Sequence, residues 1–324
     1  MTVALDLGIP ATRQWMELNQ LLDAAEPRIR RRFLQLLAQS RDMVTIEEIA
    51  TLVEAGQYLE AMSVMENVAP GLHNSLVEVY AQAGLNAALF ITETAKTPVE
   101  FTLLSDEAVN TLRTHRMRLV REITQQTQAA MVETAQAAIA EGAHPYETAR
   151  RIKNGLGLTQ HQAQSVNNYR SLLERGSKSA LQRELRDRRF DRTVERAIRE
   201  RRPLTSEQVN RMVARYEQRM IQHRAKTIAL TESQSMLHEG EEEMFEQAVR
   251  EKKIQRKQVL RTWRTAGDMR VRDSHAPMNG QQRFMGDLFV TGAGRYVRWP
   301  GDVNAPASER INCRCVLQRR VLRG

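Results

Sequence analysis

Cysteine is nearly absent: Cys313 and Cys315 are the only two in 324 residues. A disulfide framework is therefore excluded, and such usage fits a reducing compartment. Aromatic residues are also scarce, at 5% of the chain against 41% hydrophobic residues overall. The apolar material is mostly Leu, Ile, Val, Ala and Met, which suits helix packed on helix better than a β-sandwich. Long apolar runs are missing: AALFI, Ala87 to Ile91, is typical and far too short to cross a bilayer. No membrane partner is expected, and MTVALDLGIPATRQW has no basic stretch of the kind that opens a secretory signal. No GxGxxG follows a strand-like run, and GxxxxGK[ST], GxSxG, HExxH and paired CxxC do not occur. The usual nucleotide-binding, esterase and metalloprotease signatures are thus wanting, and the chain reads as a non-enzyme. Internal repeats and low-complexity tracts are missing as well.

What is abundant is charge, unevenly spread. The net charge is +9. Residues 1–100 carry 7 basic and 13 acidic side chains, and residues 101–324 carry 41 and 26. An acidic head suits a protein partner, and a basic body suits phosphates.

Helical signals fill the first three quarters. Segments 12–25, 28–40, 46–67 and 72–95 are expected to form an N-terminal helical bundle, with Pro27 in a first turn and TIEE at Thr45 to Glu48 as a capping box. Pro70 and Gly71 should break this region in the middle. After TPVEF at Thr97 to Phe101, Ser105 should cap a long helix ending at EGAHP. Thr159 and Thr205 should cap two more. Residues 170–202 hold 12 basic and 6 acidic side chains. They read first as a solvated helix with Glu184–Arg188 and Glu195–Arg199 pairs at i,i+4. The functional alternative is a ridge for nucleic-acid backbone, with Arg183, Arg186, Arg188, Arg189, Arg192 and Arg196 as phosphate contacts. Only Phe190 alternates with them, so binding would be sequence-independent and salt-sensitive.

Helical periodicity stops near Lys253. QVLRTWRT alternates like a strand, FVTGAGRYVRW reads as a hairpin, and RINCRCVLQRRV reads as a closing strand. The expected fold is mainly α: an elongated helical bundle or stalk followed by a small C-terminal α+β module with antiparallel strands. The expected regions are an acidic helical domain (1–100), a long-helix stalk with a basic ridge (101–253) and the module (254–324).

Chemistry concentrates in that module. His275, Cys313 and Cys315 are candidate zinc ligands, with Asp302 as a possible fourth. Residues i and i+2 of a strand share a face, so the two thiols would point the same way with Arg314 opposite. The same geometry suits two small side chains packed under a helix, which is the preferred reading, with no cofactor. A catalytic reading would make His275 a general base oriented by Asp268, Asp273 or Asp302, for instance in phosphodiester cleavage. Glu232, on an otherwise apolar helix stretch, is expected to be buried and paired with an arginine of the module.

In order, TWRTAGDMRVRDSHAPMNG, WPGD and INCRC resemble the C-terminal domain of the phage Mu F-like minor head proteins, or head morphogenesis proteins. IKNGLGLTQHQAQSVNNYRSLL and RAKTIALTES extend the resemblance over roughly residues 115–320. Leu230 departs from it, standing where the family pattern has an arginine. The resemblance implies a structural virion protein inside the head near the portal, present in several copies and assembled in the host cytoplasm. Its implied partners are the portal protein, the major capsid protein, or both, and phage double-stranded DNA, in head assembly, DNA packaging or DNA delivery. The alternatives are nuclease-like activity in the C-terminal module and a transient assembly or scaffolding factor.

Overall fold

The structure, a computed structural model, describes residues 11–55, 57 and 68–322. Eight helices come first: α1 (Ala11–Asp42), α2 (Ile46–Glu54), α3 (Val68–Ala95), α4 (Asp106–Ala140), α5 (Pro145–Gly155), α6 (Gln160–Glu174), α7 (Asp191–Glu200) and α8 (Ser206–Arg250). The strands β1 (Val259–Arg264), β2 (Gln282–Phe284), β3 (Phe289–Val290), β4 (Tyr296–Val297) and β5 (Val316–Val321) follow, with a one-turn helix α9 (Ala307–Arg310) before β5. The mainly α fold with a small antiparallel C-terminal module is therefore as expected. The chain forms two compact units, one of Met1–Arg31, His73–His115 and Lys226–Gly324, the other of Arg32–Leu72 and Arg116–Ala225.

In the first unit, β1 is the centre of a sheet ordered β2-β1-β5, antiparallel throughout. Alternate residues of a strand share a face, and β1 and β5 are in register so that Val259 faces Val321, Arg261 faces Arg319 and Trp263 faces Leu317. All six of these side chains are buried. Val259 and Val321 pack with Met244, Phe245 and Ala248 of α8. Two arginines directly opposite each other would repel, and the next turn of α8 supplies the remedy. Arg319 donates to Glu241 at 2.7 Å and to Glu242 at 3.0 Å, and Arg261 lies 3.3 Å from Glu242. Burial alone would raise the Glu241 carboxyl, but Arg319 and His238 hold it below its ordinary value.

The acidic run EGEEEMFE is thus interior as far as Phe245, with Glu246 half-buried. From Thr231 to Phe245 every residue of α8 is buried. Glu232 is buried as expected, with His115 Nε2 at 3.1 Å. Two further carboxylates of α8, Glu241 and Glu242, pair with arginines of the module. Glu243 accepts from Ser105 and Arg250, each at 2.8 Å.

In the second unit, α2 and α5 are tied by the Tyr146 hydroxyl, 3.1 Å from Glu47, and by Lys153 donating to the Val44 carbonyl. The Arg41 guanidinium donates to the carbonyls of Asn154 and Leu156, both at 2.6 Å. The capping box at Thr45 and the cap at Thr159 form as expected, the latter as a full box with Gln162, and Thr205 caps its helix through reciprocal bonds with Gln208.

Several expected elements differ. Residues 12–25 and 28–40 are one helix with Pro27 inside it. Pro27 costs a backbone hydrogen bond, but the buried stripe Leu18, Ala25, Ile29, Phe33 and Leu36 continues past it, and packing holds the helix together. Pro70 and Gly71 do not break the chain; they sit in the first turn of α3, where a proline is tolerated. The helix expected over 46–67 is observed to Glu54, and most of its remainder lies outside the described residues. Strand β5 begins at Val316, so INCRC runs up to the strand and is not part of it.

Gly240 shows how closely α8 is held. A Cβ placed there would lie 2.3 Å from the backbone carbonyl oxygen of Tyr80 in α3. Helix propensity alone favours Gly→Ala by about 1 kcal/mol. The contact reverses the sign: Gly240→Ala is expected to destabilise by roughly 1–3 kcal/mol, read as a lower urea midpoint. A raised midpoint would contradict the close approach.

Candidate functional site

The buried face that carries Val321, Arg319 and Leu317 continues with the same two-residue step to Cys315 and Cys313. Both thiols join the cluster of Trp263, Met278, Phe289, Val297, Trp299 and Leu317. The carbonyl of Cys315 accepts from Gln234 of α8, and the Asn312 amide donates to Thr231 at 3.1 Å. Ser235 donates to the Gly301 carbonyl at 2.6 Å, which fixes the Pro-Gly-Asp turn against the same helix. Gly301 has φ +81°, and a Cβ there would press on Gln234 and Ser235.

His275 ends a turn in which its amide donates to the Arg272 carbonyl at 2.9 Å. A short 3-10 turn, Ala276–Met278, follows. Behind it the Gly292 amide donates to the Ser274 carbonyl at 2.7 Å. This places the imidazole, 2% exposed, against both sulfurs: Nδ1 is 3.6 Å from Cys313 Sγ and 3.5 Å from Cys315 Sγ. The three candidate ligand atoms lie within 4.8 Å of one another. On the other side of the ring, Glu309 Oε2 is 3.0 Å from Nε2, off the ideal N–H line, and accepts from Ser274 Oγ at 2.7 Å. Edge-on contact with Trp263 at 5.3 Å completes the enclosure.

The Cys315 thiol and the His275 ring together drive the Cys313 thiol well below its ordinary pKa. Its neighbour, facing that sulfur in a buried place, is driven up. Protein groups alone thus favour one thiolate here and oppose a second.

The sequence-predicted trio is therefore brought together, but Asp302 is not part of it. Asp302 accepts from the Arg298 amide at 2.9 Å, from its guanidinium at 2.6 and 3.1 Å, and from the Asn304 amide at 3.0 Å. It builds the turn of WPGD. Asp268 is held by Arg314 at 2.5 and 2.8 Å and by Arg270, and Asp273 is exposed. None of the three is the carboxylate beside His275. That group is Glu309, which sequence reasoning missed. Its only signal was position, four residues before Cys313 on the one-turn helix α9.

The basic stretch 170–202 is not one helix. Short 3-10 turns at Lys178–Gln182 and Arg188–Phe190 interrupt it, so Glu184 and Arg188 share no helical face. Arg199 approaches Glu200, at 3.7 Å. Arg186 forks onto Asp191 at 2.9 and 3.0 Å, and Arg189 onto Asp187 at 2.6 and 3.0 Å. Arg183 is half-buried, whereas Arg188, Arg192, Arg196 and Arg199 are exposed. The last three are spaced i, i+4, i+7 along one face of α7.

The second unit also holds a cavity of about 140 Å³, bordered by Arg150, Arg151, Arg170, Asn210 and Glu217. Burial raises the Glu217 carboxyl to about 7, despite Arg41, Arg170 and Arg151. A carboxyl raised in the folded state contributes stability below its unfolded pKa and loses it as pH rises through the folded one. Stability is thus expected to fall between roughly pH 4.5 and 7, by on the order of 3 kcal/mol. Glu217→Gln should flatten that part of a pH series of urea midpoints; an unchanged slope would rule Glu217 out as its source.

The profile of a family described as Phage Mu protein F like protein matches residues 130–318. No curated protein and no solved structure matches the chain.

Proposed function

The chain belongs to the phage Mu protein F-like family, and from that footing we propose that it is a structural protein of phage head morphogenesis. The family match over residues 130–318 carries this reading. It is a virion component inside the head near the portal, in several copies, with the portal protein, the major capsid protein, or both as partners. Among the described residues no helix is long and apolar enough to cross a membrane. The burial of His275 against two thiols supports a structural role for that histidine over a general base facing a substrate.

Mass spectrometry and cryo-EM of purified particles test the reading. The expected result is several copies per particle, with density at the portal vertex. A chain required for assembly but missing from finished particles would make it a transient assembly factor.

Sequence-independent contact with packaged DNA belongs to the same proposal. Arg188, Arg192, Arg196 and Arg199 support it, being exposed and grouped. Arg186 and Arg189 are already neutralised by Asp191 and Asp187. Each phosphate contact adds about 0.9 to the salt slope of log K. Replacing the four exposed arginines by alanine should lower that slope by roughly three to four in a filter-retention salt series. An unaltered slope would remove this face from the interface.

A further inference from the structure

We propose that His275 Nδ1, Cys313 Sγ and Cys315 Sγ bind one zinc ion, with a solvent molecule as the fourth ligand, and that the ion staples the His275 loop to the approach of β5.

The first ground is valence. Nδ1 has a single in-plane lone pair, yet two sulfurs sit at nearly the same distance from it, 3.6 and 3.5 Å. One thiol proton can be donated to that lone pair, and the second thiol is left with only its neighbour's sulfur, a weak acceptor. A shared cation satisfies all three atoms at once. The second ground is distance. Zinc–sulfur and zinc–nitrogen bonds of about 2.3 and 2.05 Å at a tetrahedral angle place nitrogen and sulfur about 3.6 Å apart. The two observed nitrogen–sulfur separations match.

The surroundings are those of a metal centre as well. Glu309 sits behind the imidazole, 3.0 Å from Nε2, where a negative charge favours the proton on Nε2 and so leaves Nδ1 free to ligate. The Trp263 N–H is buried with no oxygen or nitrogen acceptor, beside Cys315, where it favours negative charge on that sulfur. A cavity of about 20 Å³ opens on the trio, bordered by Arg270, Arg272 and Arg314. That is room for one water, and so for the fourth ligand. Two thiolates with one imidazole form a mixed sulfur and nitrogen set of the kind zinc takes in a tetrahedron. On binding, two zinc–sulfur bonds and one zinc–nitrogen bond form, and every proton that the two sulfurs and Nδ1 still carry passes to solvent; nothing is oxidised or reduced. Arg314 plays no part in ligation, since it points away to Asp268.

The experiment uses the untagged full chain, so that no added histidines compete. Elemental analysis after exposure to excess zinc and gel filtration should find about one zinc per chain. Cobalt(II) exchanged into the wild-type chain should give a thiolate-to-cobalt charge-transfer band with the visible bands of a tetrahedral ion. Cys313→Ser, Cys315→Ser and His275→Ala should each drop the metal content below about a tenth of an equivalent, whereas Glu309→Gln should keep it with weaker retention against a chelator. Should a cysteine variant not fold, the wild-type cobalt spectrum decides alone. A folded wild-type chain holding less than about a tenth of an equivalent, or a cobalt spectrum without the charge-transfer band, overturns the proposal. Incorporation into particles does not enter this measurement, so it stands or falls apart from the head-assembly role.

Discussion

Two arginines face each other across adjacent strands in the dry interior of the first unit, and much else there is arranged around that fact. Arg261 and Arg319 are in register on β1 and β5. Alone, the pair would be a buried like-charge contact, and a single unpartnered charge in such a place costs several kcal/mol. Glu241 and Glu242 of α8 close the set at two cations and two anions. The helix must then lie across the sheet with one turn aligned to one residue pair. That alignment puts Val259 and Val321 on the apolar side of the charges and the cysteine cluster on the other. The polar composition of α8 between Thr231 and Phe245 follows from its position: it is the element to which loops, strands and neighbouring helices bring their donors.

The same arrangement orders the site. A strand face read in steps of two passes from valine to arginine to leucine to the two thiols. Each step meets a different part of the interior. The thiols need no strand hydrogen bonds of their own, because Gln234 and Thr231 hold the backbone on either side. His275 comes from a loop fixed at both ends by backbone bonds. Rigid elements therefore deliver the three candidate ligands, and each is buried before any ion arrives.

Much of this was legible in the residues. Capping boxes, the stop at EGAHP and the hairpin around Gly292–Gly294 are local matters, set by short-range chemistry, and the meeting of His275 with both cysteines, 38 and 40 residues apart, was legible only as a set of residue types that share a metal chemistry. What was not legible was long-range. Pro27 is a helix breaker by its own chemistry, and only the buried stripe on both sides overrules it. The burial of EGEEEMFE runs against the preference of carboxylates for water, and facing arginines, some 77 residues away for Glu242 and Arg319, help to make it tolerable. Asp302 and Asp268 looked like site carboxylates because they are near in sequence, yet nearby arginines claim them first. Glu309 carries no motif at all, and one helical turn of α9 sets it behind the imidazole.

The buried charge set has a consequence for inheritance. The strands at the end of the chain look like a separable cassette, yet their two arginines are neutralised from the middle of a helix that begins at Ser206. A recombination event that exchanged the module alone would bring in cations whose counter-charges stayed behind. A crossover that leaves a working protein must either carry the turn holding Glu241 and Glu242 along with the module or find the same turn in the recipient. The unit that can be passed on intact is therefore longer than the unit that a reader of the sequence would cut out.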